Sequence, residues 1–178
     1  MPASKKPNPR RVFIYGLAVI LVAFARPTPL SMGLGLAIIC LGEGLRSWAA
    51  GHLRKNEVLT TTGPYAYVKH PLYIGTILIT AGFCIMADNI YILAVALMVF
   101  SLYYLPYKNR VEGERMEKLF GQAYLDYAEN VPDYIPRLSP YGRSSGKWRW
   151  SAFIENSEQG IVALEAIGVF LIGMRLWI

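Results

Sequence analysis

Three groups of residues in this chain combine reactive side chains with spacings that bring them together. The first is the run Thr-Thr-Thr-Gly-Pro-Tyr-Ala-Tyr-Val-Lys-His-Pro-Leu-Tyr-Ile-Gly at 60–75. Gly63-Pro64 forces a turn. Pro71 suits a first helical turn, where its missing N–H costs nothing. His70 therefore stands at the mouth of a helix whose first amides carry partial positive charge. An imidazole beside free amides is a place to hold a carboxylate. Tyr65, Tyr67 and Tyr73 add flat faces and hydroxyls for an aromatic ring or a ribose. An interfacial aromatic belt containing a turn is the plainer alternative.

The second is Glu112, in line with Met116, Phe120 and Tyr124 at steps of four on the apolar stripe of an amphipathic helix. A carboxylate on such a stripe needs a cationic partner or stays protonated. A simple helix-start charge is its other reading. The third is Glu43 and Arg46, inside an apolar run and three residues apart, so that they share a helix face and can pair. Ionisable groups inside a membrane are costly and usually functional. Arg46 also has the option of snorkelling to the interface.

Long uncharged runs must position these groups. Of 178 residues, 54% are hydrophobic and only 17% charged, which excludes intrinsic disorder and argues against a water-soluble globule. The apolar runs predict spans over 12–25, 30–50, 71–87, 90–107 and 161–178. A cytosolic amphipathic helix is predicted over 108–131, with the stripe Glu112, Met116, Leu119, Phe120, Ala123, Tyr124, Tyr127 and Val131, ended by Pro132 and Pro136. The expected fold is all-α: one domain over 1–178, an integral-membrane bundle of about five transmembrane helices. If every run crosses, fifteen of the 18 Lys and Arg fall on one side, which sets the N-terminus in the cytosol of a multi-pass protein. The first run is expected to be retained; a cleaved signal ending at Ala23-Phe24-Ala25 is the alternative. The net charge of +6 reads as topology and carries no case for nucleic acid. Glu165 and Arg175, near the ends of the last run, read as solvated or snorkelling.

Several familiar patterns carry no weight. Gly33-Leu34-Gly35-Leu36-Ala37-Ile38 mimics a dinucleotide fingerprint but lies inside an apolar span. Cys40 and Cys84 form no metal-type spacing, and no P-loop or paired-His zinc motif occurs. No span contains Gly-x-x-x-Gly, so no close helix pairing is expected on that ground.

Taken together, Gly-Pro-Tyr-x-Tyr-Val-Lys-His-Pro-Leu-Tyr-x-Gly at 63–75, and Glu112 with Phe120-Gly121, Tyr124, Tyr127, Val131-Pro132 and Ile135-Pro136, resemble the isoprenylcysteine carboxyl methyltransferase family, itself similar to phospholipid N-methyltransferases. The resemblance covers roughly 42–138 and omits the last forty residues. It implies S-adenosyl-L-methionine as cofactor, held without a Rossmann domain between the loop before the His-Pro helix and the amphipathic region. Carried over by position, Tyr65, Val68, His70, Pro71, Tyr73 and Gly75 form one wall, and Glu112, Tyr124 and Tyr127 the other. Many relatives have two glutamates where this chain has Glu112-Gly113; Glu114 faces elsewhere on the helix. Pro132-Asp133-Tyr134 replaces the commoner Pro-Arg-Phe ending.

The implied cofactor has a carboxylate that suits His70, an ammonium that suits Glu112 and an adenosine that suits the tyrosines. The expected catalytic positions are Glu112 and Arg46, the latter placed to hold an anionic acceptor. The expected function is methyl transfer to a lipophilic acceptor (carboxylate, thiol or amine) drawn from the bilayer, with membrane lipids as partners and no metal. A non-catalytic membrane protein that keeps the scaffold, such as a transporter subunit or assembly factor, is the alternative. A nicotinamide-dependent membrane reductase is a third.

Overall fold

The computed structural model describes residues 16, 19–99, 105–142 and 146–177. These are helical and loop residues, with no strand among them. The longest helix, α1 (Pro29–His52), starts at a reciprocal cap. Thr28 Oγ1 accepts from the Ser31 N–H at 3.1 Å, and Ser31 Oγ accepts from the Thr28 N–H at 2.9 Å. A short 3-10 turn (Gly63–Ala66) leads into α2 (Pro71–Met86). The turn after α2 falls at Asp88, whose φ is +50°, as Asp88-Asn89 predicts.

The helices α1 and α2 run antiparallel at very short range. Their buried faces recur at steps of three and four: Gly35, Ile39, Gly42 and Arg46 on α1, Gly75, Ile79, Gly82 and Met86 on α2. A Cβ added to Gly42 would lie 2.8 Å from the Gly75 carbonyl oxygen, and one on Gly35 would lie 2.6 Å from that of Gly82. The absence of Gly-x-x-x-Gly therefore misleads. Glycines seven residues apart bring these backbones together, because two turns of helix return each to the same face.

After α2 come α3 (Ile90–Val99), α4 (Leu105–Phe120) and α5 (Gln122–Asn130). The predicted amphipathic helix is thus two helices, broken at Gly121, whose φ of +54° and ψ of −132° suit glycine. The break turns part of the predicted stripe outward, since Leu119 and Ala123 are exposed, while Tyr127 and Val131 are buried. The chain closes with α6 (Trp150–Glu155), α7 (Glu158–Met174) and a final 3-10 turn (Arg175–Trp177).

Among the described residues, two segments are long and apolar enough to cross a membrane: Pro29–His52 and Glu158–Trp177. Pro71–Met86 is apolar but shorter. Residues 12–15, 17 and 18 of the first expected span, and 100–104 of the fourth, lie outside the described residues; 19–23 are helical. A core of Ala25, Ile39, Met86, Ala87 and Ile172 joins the described end of the first run to α1, α2 and α7.

Candidate functional site

A cavity of about 420 Å³ opens between the start of α2, the face of α4, the loop 53–60 and the beginning of α7. That volume is within the range of small-molecule sites. His70, Pro71 and Tyr73 line it from α2, Tyr65 from the 3-10 turn, Glu112, Met116 and Phe120 from α4, and Tyr124 and Tyr127 from α5. Val68 and Gly75 do not line it. Val68 is buried beside the turn, and Gly75 is covered by Arg46 and Gly42.

Glu112 is fixed by the opposite wall, because the Tyr73 hydroxyl donates to its Oε2. His70 stacks on Tyr73, ring centres 5.2 Å apart, and lies 5.6 Å from the Tyr134 ring. The expected free amides at the start of α2 are fewer than the sequence implies. The N–H groups of Tyr73 and Ile74 turn back to the His70 carbonyl, and the His70 N–H donates to the Asp133 carbonyl.

Asp133, unassigned from the sequence, pairs its carboxylate with Lys69 Nζ at 2.8 Å and reaches to 3.8 Å from His70 Nε2. It ties the segment after α5 to the His-Pro turn. Its acidic character at a position where arginine is commoner, opposite a lysine before the histidine, is the signal in hindsight. At the mouth, Arg115 on α4 donates to Asn56 in the loop 53–60.

The end of the cavity between α1 and α7 is formed by Arg46, 8% exposed, and Glu158, 2% exposed. Arg46 Nη2 donates to both carboxylate oxygens of Glu158 at 2.8 Å. Nη1 donates to Thr76 Oγ1 at 2.6 Å and to the Leu72 carbonyl at 3.3 Å. The expected partner Glu43 is farther, with Oε2 at 4.0 Å from Nε, and its other oxygen accepts from Ser47. Glu158 escaped the sequence reading because it precedes an apolar run as any helix-start acid does. Its seven-residue spacing from Glu165, which faces Glu43, is the overlooked sign that one side of α7 meets charge. Arg175 Nη2 donates to the Ala23 carbonyl at 3.2 Å.

The tyrosines are held in the hydrogen-donating form. Burial raises the pKa of the Tyr65 hydroxyl, reinforced by Tyr127, Glu112 and Glu158 and opposed by Arg46. Tyr127 is raised by burial and by Tyr124 and Tyr141, and its hydroxyl donates to the Tyr65 carbonyl at 2.8 Å. Tyr124 is raised by burial, then by Asp133 and Glu112. The Tyr65 hydroxyl is buried with no hydrogen-bond partner among the described residues. Gly113 leaves room near the Tyr124 hydroxyl, and Glu114 is exposed and outside the cavity. Among the described residues no group of three or more His, Cys, Asp or Glu is placed to hold a metal.

The phospholipid methyltransferase family matches residues 30–123. The chain is 30% identical over 174 residues to the cobalt-zinc-cadmium resistance protein CzcN of Cupriavidus metallidurans, covering 94% of this chain and 76% of that protein. That coverage takes in most of the last forty residues, which the motif resemblance omits. It is 33% identical over 114 residues to the nickel-cobalt-cadmium resistance protein NccN of Alcaligenes xylosoxydans xylosoxydans, covering 63% of this chain and 51% of the relative. It is 31% identical over 118 residues to the protein-S-isoprenylcysteine O-methyltransferase of Schizosaccharomyces pombe, covering 58% and 48%. The chain thus spans about half the length of the last two relatives. No solved structure gives a significant match. A match over more than half the chain, which takes in the His-Pro turn and Glu112, places it in the phospholipid methyltransferase family, with a likeness to the isoprenylcysteine O-methyltransferases.

Proposed function

We propose that this protein is a membrane methyltransferase that takes S-adenosyl-L-methionine from the cytosol and a lipophilic acceptor from the bilayer. The carrying observation is that His70, at the entrance of α2, and Glu112, on α4, share one cavity with Tyr65, Tyr73, Tyr124 and Tyr127. The residues fit the cofactor: one wall offers a histidine and a lysine, the other a carboxylate, and between them a buried tyrosine hydroxyl has no partner among the described residues. When bound, the cofactor supplies an electrophilic methyl group. Glu112, oriented by Tyr73, would hold the ammonium; His70, the carboxylate; the tyrosine faces, the adenosine.

Methyl transfer is an in-line displacement, so the protein's tasks are alignment and exclusion of water. The acceptor's lone pair forms the new bond to carbon as the carbon–sulfur bond breaks, and S-adenosylhomocysteine leaves. An ionised carboxylate or thiolate needs no base, whereas an ammonium must first lose a proton. Arg46 lines the acceptor end with its charge answered by Glu158. Its proposed role is therefore to shape and orient that end rather than to act as a free cation. The proposal includes a single domain of five spans with the N-terminus in the cytosol, the cavity opening on that side.

Calorimetry with S-adenosylhomocysteine on the folded protein in detergent tests this reading. Saturable heat that His70→Ala weakens about tenfold supports it. No heat from a folded sample sinks it. Radiolabelled methyl recovered in lipid extracts rather than protein fractions then identifies the acceptor pool.

A non-catalytic membrane component is the second reading. It is favoured by Gly113 at the position where many relatives carry a second glutamate, and by relatives named for metal resistance. It predicts neither cofactor heat nor methyl transfer.

A further inference from the structure

Residues 146–149 lie along the end of α1, with Arg149 in extended backbone. The Arg149 N–H donates to the Gly51 carbonyl at 2.9 Å, and the Trp148 indole N–H donates to the Ser47 carbonyl at 2.9 Å. Trp148 lies on α1, where a Cβ on Gly51 would come within 1.9 Å of its ring nitrogen, while Lys147 and Arg149 face the neighbouring loop. They line a second cavity, of about 270 Å³, together with Arg54, His52 and the hydroxyl-bearing Thr60-Thr61-Thr62 run. His52 Nδ1 is 3.1 Å from Thr62 Oγ1.

No Asp or Glu among the described residues lines this cavity. Among the described residues, none of Arg54, Lys147 and Arg149 has a carboxylate within 4.0 Å. Three cations and a row of hydroxyls with no opposing acid are the chemistry of a phosphate site. A neighbouring ammonium, as in a zwitterionic headgroup, would be repelled.

The surroundings select the source of that phosphate. Trp148 and Trp150 meet edge-on with centres 4.8 Å apart, and Trp150 is 67% exposed. The cradle sits at the end of Pro29–His52, a helix long enough to cross a membrane, with Trp48 and Ile154 also exposed beside it. Indoles and cations together mark the headgroup level of a bilayer. We propose that the cradle of Arg54, Lys147 and Arg149 binds the phosphate of an anionic phospholipid, at a site separate from the methyl-transfer cavity. Arg54, Val58, Leu59 and Thr60 line both cavities, so a bound headgroup would brace the wall between them.

The test uses the full chain in phosphatidylcholine nanodiscs with a graded fraction of phosphatidylglycerol. Retained lipid is read by native mass spectrometry, and Trp148 and Trp150 by fluorescence. Saturable retention of one phosphatidylglycerol is expected. Lys147→Gln should weaken it about fivefold and Lys147→Gln/Arg149→Gln about 30-fold, at about fivefold per interfacial cation. Lys118→Gln, an exposed charge on α4, should leave it unchanged. Glycerol 3-phosphate in solution should fail to displace the lipid at matched headgroup concentration. Undiminished retention by the folded double variant, or equal retention of phosphatidylcholine, overturns the site. Full displacement by glycerol 3-phosphate overturns the lipid as its ligand and leaves a soluble phosphate. These readouts do not involve methyl transfer, so they stand apart from that proposal.

Discussion

The guanidinium of Arg46 and the carboxylate of Glu158 meet at 2.8 Å although 112 positions separate them in the chain. Each is nearly sealed from solvent, with side-chain exposures of 10% and 3%. The pair fastens α7 to α1 and α2 beneath the cavity. Removing one partner strands the other, so Glu158→Ala is expected to cost about 3–5 kcal/mol. Arg46→Met/Glu158→Leu, which removes both charges, should recover most of the loss. Unfolding in detergent, followed by circular dichroism, measures both.

The glycine contacts between α1 and α2 predict a sharp contrast. Gly42→Ala places a methyl against the Gly75 carbonyl and should destabilise by about 1–3 kcal/mol. Gly44, two positions on, has nothing within 4 Å of a built Cβ. Gly44→Ala should therefore be neutral or stabilise by about 0.5–1 kcal/mol through helix propensity. The same denaturation assay compares them.

If Glu112 holds an ammonium, Glu112→Gln keeps the shape and loses the charge. S-Adenosylhomocysteine affinity should then fall about 10- to 100-fold, the worth of a charged hydrogen bond of about 1.5–3 kcal/mol. Tyr73→Phe frees the carboxylate without neutralising it and should cost less. Isothermal calorimetry on both variants reads the order, and a reversed order would count against Glu112 as the ammonium partner.

Tyr65 separates stability from binding. Its hydroxyl is buried without a partner, so Tyr65→Phe should leave unfolding unchanged or raise stability by about 1 kcal/mol, while cofactor affinity falls. The pH dependence has a definite sign. Burial raises Tyr65 and Tyr127 above the ordinary value of about 10, so above that pH the unfolded chain releases protons that the folded chain keeps. Their contribution is whole below about pH 10 and is lost as pH rises through the raised values. Unfolding midpoints from pH 8 to 12 should fall on the alkaline side, less steeply in Tyr65→Phe.

The helices α1, α2 and α7 were legible because apolar runs and their punctuation are local. Pro71 begins α2 and Asp88 turns the chain after it, as their chemistry requires. The two walls of the cavity were legible too, as motifs either side of a hairpin. What escaped depends on distant partners. Glu158 looks like any acid at a helix start until Arg46 is seen opposite. Asp133 gains its meaning only from Lys69. Gly121 reads as one residue of an amphipathic pattern, yet its backbone conformation splits that pattern in two.

The opposed glycines of α1 and α2 also dictate how this protein can move. A slide of one residue, about 1.5 Å, takes each notch off its counterpart and drives a side chain into the facing backbone. The next register that seats a glycine on a glycine is seven residues away, about 10.5 Å, and there only one of the two couples survives. The hairpin is consequently a fixed strut with no piston stroke. If the proposed cofactor enters and leaves this cavity, the parts that move are the outer pieces: the loop joining the two helices, clasped by Arg115 and Asn56, and α4 behind it.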